Sequence, residues 1–195
     1  MRLKSLLYWV LLFGFVITSA EAADRYQIDP VHSSIGFTVR HMVIANVKGY
    51  FKEFSGTIYY DENDITRSSV SVTIKTASIN TENPKRDAHL RSPDFFDAEK
   101  YPEITFKSKR ILKEKDGYVA VGDLTMRGVT REIRIPFHIL GKVTDPWGNT
   151  RIGVEASLKL NRHDYGISWS QTLDNGGLVV GDEVKIDLNI EAVKK

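Results

Sequence analysis

The ten residues from Arg151 to Leu160 read "RIGVEASLKL". Ile152, Val154, Ala156, Leu158 and Leu160 share one parity, and Glu155, Ser157 and Lys159 share the other. Side chains alternate between the two faces of a strand, so this pattern predicts a strand with one apolar face and one wet face. The same period of two recurs on both sides of it. Upstream, "REIRIPFHI" aligns Ile133, Ile135, Phe137 and Ile139, and "EITFKSKRI" aligns Ile104, Phe106 and Ser108. Earlier still, "VSVTIKT" aligns Val70, Val72, Ile74 and Thr76, "FSGTIYY" aligns Phe54, Gly56, Ile58 and Tyr60, and "SIGFTVRH" aligns Ile35, Phe37, Val39 and His41. Downstream, Val184, Ile186, Leu188, Ile190 and Ala192 continue it. "YVAVGDLTM" is less regular, with Val119 and Val121 on one parity and Leu124 and Met126 on the other; a bulge near Gly122-Asp123 would reconcile them.

The joins agree with the strands. "YDENDITRS", "KEKDG", "MRGVT" and "TDPWGN" are rich in turn formers, and "MRGVT" is tight enough for a hairpin. Short joins favour antiparallel neighbours, because parallel pairs need long crossovers. About eight one-sided strands in one domain predict a closed antiparallel barrel or a two-sheet sandwich, and alternation alone does not choose between them. A barrel of about eight strands is either filled by side chains or holds one small ligand. No charged side chain recurs on the apolar faces, so a cavity inside would be apolar.

One stretch interrupts the strands. "TENPKRDAHLRS" offers Asn83 as an N-cap and Pro84 at the first helical position; "SPDFFDAEKYP" repeats the device with Ser92 and Pro93. Two short helical turns are predicted over residues 83–101. Asp87 and Arg91 have the spacing of a helical ion pair. His89 and Asp94 could pair as a base and its orienter. Phe95 and Phe96 read as anchors of the insert on a barrel mouth, or as the apolar rim of a ligand entry.

The N-terminus is not part of this fold. Arg2 and Lys4 precede an apolar run, "LLYWVLLFGFVI" from Leu6 to Ile17, and Ala20-Glu21-Ala22 forms an A-x-A cleavage pattern. Residues 1–22 therefore read as a Sec-type signal peptide, leaving a single exported domain over 23–195. Its removal takes away Arg2, Lys4 and Glu21, so the 27 basic and 25 acidic residues of the whole chain become 25 and 24. A nucleic-acid binder carries a larger, clustered basic excess. With no cysteine, the domain has neither disulfides nor thiolate ligands.

Signals for chemistry are sparse. No G-x-S-x-G is present, and no two of the five histidines are three or four residues apart. A metal or enzymatic site would need His41, His89 and His163 to converge from distant segments. "NRHDYGISWSQTLDNGG", Asn161 to Gly177, is long enough to fold over a barrel end, with Trp169 as a plug.

Five segments together resemble the YceI-like family of lipocalin-like, polyisoprenoid-binding proteins: "YQIDPVHSSIGFTVRH", "VKGYFKEFSGTIYYD", "SVTIKTASINTENPKRDAHLRSPDFFDAEKYPEITFKS", "GDLTMRGVTREI" and "NRHDYGI". They cover nearly all of Asp24 to Val193, and Trp147 in "DPWGN" also fits. The resemblance implies an all-β fold: an extended eight-stranded antiparallel lipocalin-like barrel with the short helical insert against one side. It implies a long apolar tunnel for an isoprenoid, or for another long-chain amphiphile such as a fatty amide, and no cofactor beyond that lipid. It implies a periplasmic location, a link to envelope stress and no catalytic residues. Arg40, His41, Arg86, His89, Arg91 and Asp94 match its motif positions.

The tunnel candidates are Ile35, Phe37, Val39, Phe54, Ile58, Val72, Ile74, Phe106, Ile135, Phe137, Val154, Leu158, Ile186 and Leu188. Arg40, His41, His89 and Arg91 are assigned to a polar rim. Which parity faces inward is left open by alternation. The lead expectation is a lipid carrier that binds neither nucleic acid nor metal and is not a membrane-spanning protein after cleavage. A homodimer through a strand edge or face is compatible with it. The competing readings are an enzyme or metal protein built on the rim histidines, and a stress-related interaction module that never loads lipid.

Overall fold

The computed structural model describes residues 23–172 and 178–195. The expected signal peptide at 1–22, and residues 173–177 of the long loop, lie outside them. Eleven strands form one antiparallel sheet: β1 (Asp24–Ile28), β2 (Ser34–His41), β3 (Ala45–Phe51), β4 (Phe54–Tyr60), β5 (Ser69–Lys75), β6 (Ile79–Asn80), β7 (Glu103–Glu114), β8 (Gly117–Met126), β9 (Val129–Thr144), β10 (Thr150–Asn161) and β11 (Val180–Lys194). One α-helix, α1 (Pro84–Arg91), lies between β6 and β7.

The eleven strands make eight ribbons. β1 and β2 share the same edge of β11, pairing with its last and its earlier residues respectively. Pro30 has no N–H, and the chain steps out of the ladder there. Ser33 mends the gap: its hydroxyl donates to the Glu191 carbonyl (3.1 Å) and accepts from the Glu191 N–H (2.9 Å). β3 and β4 form the second ribbon, bent at Lys52-Glu53, and β5 and β6 the third, bent at residues 76–78. Lys52 N–H to Ser78 O (3.1 Å) and Lys75 N–H to Glu53 O (2.9 Å) carry the pairing across both bends. The β1–β11 pairing closes the ring, which decides for a barrel over an open sandwich.

Turn chemistry sets several joins. Arg127 (φ 49°) and Gly128 (φ 75°) join β8 to β9 as a two-residue hairpin, the geometry that suits strand twist. The bulge lies on the other strand from the one expected. β8 keeps one parity, and Ser108 and Arg110 of β7 oppose consecutive residues Gly122 and Val121 of β8, leaving Lys109 as the extra residue. Gly122 accommodates this closely: a Cβ there would lie 2.3 Å from the Lys107 carbonyl oxygen. Val119 and Val121 are buried although they sit on the outward parity.

The barrel's outer face is charged. Lys159–Glu183 (2.8 Å), Lys185–Asp187 (2.8 Å) and Lys109–Asp123 (2.6 Å) lie across or along outward positions. A membrane-spanning barrel carries an apolar outer band instead. Among the described residues, no helix is long and apolar enough to cross a membrane.

The insert is half helical. Asn83 caps α1 by accepting from Arg86 N–H (3.0 Å), with Pro84 in the first turn. The expected second helical turn does not form. Ser92 ends α1 with its N–H on His89 O (3.1 Å), and residues 93–101 run through successive turns, with Asp97 at φ 49°. Pro93 cannot donate, which leaves this segment to tight turns that carry Phe95 inward.

Candidate functional site

The inward parity follows from closure. It is odd on β2 and β9 and even on β4, β5, β8, β10 and β11. On β7 it switches from Ile104 and Phe106 to Ile111 because Lys109 is extra. These side chains surround one elongated cavity of about 280 Å³ inside the barrel. Every apolar tunnel candidate lines it except Phe54. Phe54 follows the bend at Lys52-Glu53 and packs between the two core clusters; Phe51 takes up the lining there.

The two ends differ. One end is lined by Ile28, Tyr60, Ile65, Ile139 and Ile152, with Ser68 and Ser69. The other is covered by the insert, through Leu90, Phe95 and Phe96, and by the segment after β10, through Arg162, Tyr165 and Ile167. Phe95 is buried and Phe96 stacks edge-on against Phe51 (6.0 Å between centroids). Trp169 is no plug. It packs outside the lining against His89 (4.9 Å) and Phe95 (5.2 Å), fastening the loop to the insert.

The polar rim residues do not converge on the cavity. Arg91 is a strut: Nε donates to Ala77 O (2.7 Å) and Nη2 to Ile79 O (3.1 Å). It therefore makes no helical pair with Asp87, which accepts from the N–H (2.8 Å) and hydroxyl (2.5 Å) of Thr81. Arg86 donates to the same threonine. His89 bonds Asp94 (2.9 Å) as expected, but neither residue lines the tunnel. Arg40 is exposed on the outward parity of β2. His41 sits at the strand end opposite Val180, beyond the last lining residue, Val39.

His41, His89 and His163 do not gather as metal ligands. His163 bonds Asp182 (2.7 Å). Among the described residues, the one three-residue group with ligand spacing is Asp29, His32 and Glu191. The Arg151 guanidinium occupies its centre of charge, 3.0 Å from Asp29 and 2.5 Å from Glu191, and also reaches Asp145 (2.7 Å). A hydrogen bond from His32, aided by Arg151, lowers the Asp29 carboxyl to about 2.

Sequence reasoning missed Arg162. It is buried, at 5% exposure, and lines the cavity. Nε donates to Gly181 O (2.9 Å), Nη1 to Ile167 O (2.8 Å) and Trp169 O (2.7 Å), and Nη2 to Val180 O and Asp182 Oδ1 (both 3.3 Å). Five donors in a fixed fork match five oxygens, which is how a buried guanidinium is tolerated. Burial lowers its pKa. The signal was "NRHDYGI" itself: Asn161 caps the short 3₁₀ turn Arg162–Tyr165 and Gly166 (φ 71°) ends it.

A family model described as the YceI-like domain matches residues 26–192. The chain belongs to the YceI-like family. The Protein YceI of Salmonella newport is 34% identical over 194 residues, covering 98% of each chain. A crystal structure of the Campylobacter jejuni YceI protein is 35% identical, with a TM-score of 0.69 over 80% of this chain and 90% of that one. A polyisoprenoid binding domain from Saccharophagus degradans, at 16% identity and a TM-score of 0.61, covers 90% of this chain and 100% of its own; it shares the fold. The barrel is thus the YceI-like fold.

Proposed function

We propose that this YceI-like barrel is an exported carrier that holds one long apolar chain, an isoprenoid or a similar amphiphile, in its tunnel. The observation that carries this is the cavity: a closed barrel whose inward positions are hydrocarbon on every ribbon, yet leave about 280 Å³ unfilled. Protein interiors otherwise pack to crystal density. Desolvating a chain there contributes about 0.8 kcal/mol per buried CH₂ and needs no charge chemistry. The name of the Saccharophagus degradans neighbour points to the same ligand class. Residues 1–22 fit export to the periplasm, where carrying or storing lipid would link the protein to envelope stress. The geometry favours binding over catalysis, since His89, His163 and Arg162 at the insert end are each tied into local bonds.

The test is extraction of the protein, purified from its own host, followed by mass spectrometry. A stoichiometric long-chain lipid is expected. A lipid-free extract, together with failure to take up any long-chain isoprenoid in solution, would overturn the reading.

A further inference from the structure

The hairpin between β2 and β3 breaks two rules at its tip. Tight turns favour glycine and asparagine, yet Met42, Val43 and Ile44 stand there, exposed at 40%, 60% and 85%. Met42 (φ 47°) and Val43 (φ 66°) also hold the left-handed backbone, a genuine outlier for a β-branched residue. None of the three lines the tunnel or joins a core cluster, so packing does not repay the strain. Strain kept without a packing return points to function. The tip lies at the insert end of the tunnel: Met42 N–H donates to Val179 O (3.0 Å), and His41 pairs with Val180, a lining residue. β3 meets β6 only through Tyr50 and Phe51, so over Ala45–Gly49 the hairpin is held in the sheet by β2 alone.

Charge around the tip is one-sided. Arg40 and Lys48 are exposed on the outward face of the hairpin, and among the described residues neither side chain makes an ion pair or hydrogen bond. The acids on the neighbouring strand are taken: Asp182 by Arg162 and His163 (3.3 and 2.7 Å), Glu183 by Lys159 and Asp187 by Lys185 (both 2.8 Å). The opposite end also exposes apolar side chains, Val31 and Trp147, on two separate turns. There Arg151 sits among three carboxylates, Asp29, Asp145 and Glu191, an excess that an anionic surface repels. We propose that the β2–β3 tip is a membrane-docking site: Met42, Val43 and Ile44 enter the acyl boundary of an anionic bilayer, and Arg40 and Lys48 meet its phosphates. The proposal rests on the carrier reading and adds the surface at which the chain is exchanged. A protein partner fits less well, since a stable interface needs about 800 Å² per partner and three side chains fall well short of it. A bilayer takes up each aliphatic side chain separately. Docking by this tip sets the insert end of the tunnel against the membrane that supplies the hydrocarbon chain.

The test is co-sedimentation of the mature chain with two kinds of vesicle, pure phosphatidylcholine and an equimolar mixture of phosphatidylcholine and phosphatidylglycerol. Wild type should bind the mixed vesicles better than the pure ones, and less tightly as salt rises. Ile44→Ser should weaken binding to the mixed vesicles about 10-fold. Arg40→Gln and Lys48→Gln should each weaken it about 5-fold. Trp147→Ala should leave it within about twofold. Val43→Gly should weaken binding yet melt at or above the wild-type temperature, because glycine relieves the left-handed backbone. Every variant should take up geranylgeraniol from solution as wild type does. Wild type that takes up geranylgeraniol but ignores both kinds of vesicle overturns the docking site alone. So does binding that falls in Trp147→Ala and not in Ile44→Ser, or a Val43→Gly protein that melts well below wild type and so marks Val43 as a packing residue. A lipid-free extract with no geranylgeraniol uptake overturns the carrier reading, whatever the vesicles show.

Discussion

Replacing Arg162 by alanine should release the segment that covers the insert end of the tunnel. The guanidinium makes three short bonds, to the carbonyls of Gly181, Ile167 and Trp169 at 2.7–2.9 Å, and two weaker ones at 3.3 Å. Asp182, its charged partner, is 44% exposed, so truncation strands no buried charge. The cost is then mainly the three carbonyls left without a donor, at about 1 kcal/mol each, or about 3 kcal/mol in all. With a urea dependence of about 2 kcal/mol per molar, the unfolding midpoint should fall by about 1.5 M. Arg162→Lys keeps the charge but offers three donors from one nitrogen and no planar fork, so it should restore less than half of the loss. Trp169 accepts one of these bonds through its carbonyl, and its fluorescence should report local release at lower urea than far-ultraviolet circular dichroism. A loss below about 0.5 kcal/mol for Arg162→Ala, or full rescue by lysine, would refute the assignment of this residue as the clamp of the tunnel end.

Other perturbations probe other parts of the molecule. Val154 lines the tunnel opposite Ile139 and Ile190. Val154→Trp should abolish lipid recovery in extracts while the barrel still folds, at a cost of about 1–3 kcal/mol; wild-type lipid loading would refute the tunnel as the site, and a wild-type phenotype without lipid would favour an interaction module. Gly122→Ala forces a Cβ to 2.3 Å from the Lys107 carbonyl and should cost about 2 kcal/mol in a melting experiment; a neutral result would show that the β7 bulge yields freely. Asp29 is held at about 2, below its ordinary 3.8, so its contribution to stability is complete above about pH 4 and is lost as pH falls through about 2. Asp29→Asn should therefore be less stable than wild type at pH 7, with the gap closing between pH 4 and 2 in denaturant titrations; a gap independent of pH would refute the charge network around Arg151.

Much of this architecture was legible in the chain because it rests on short-range physics. Period-two alternation in "RIGVEASLKL" and its neighbours identifies strands, and "MRGVT" identifies a hairpin. Asn83-Pro84 identifies the start of the helix. Each depends on residues within a few positions of one another. The second device, Ser92-Pro93, failed for a local reason as well: Ser92 serves as the end of α1, and the turns that follow are set by where Phe95 must pack. The rim residues lie off the cavity lining for a different reason. Arg40, His41, His89 and Arg91 have the right composition for head-group contact, but their directions depend on strand ends and on carbonyls 12 to 14 residues away.

The sequence by itself determined a series of one-sided antiparallel strands with apolar inner faces and a single insert, and the β1–β11 pairing closed them into a barrel. Tertiary structure alone decided which parity faces inward, where Lys109 flips it, and why Phe54 leaves the lining. It also decided that Arg162 lies buried on five protein oxygens. Side-chain alternation is written into neighbouring residues, whereas the partners of a buried polar group are assembled by barrel closure from segments far apart in the chain.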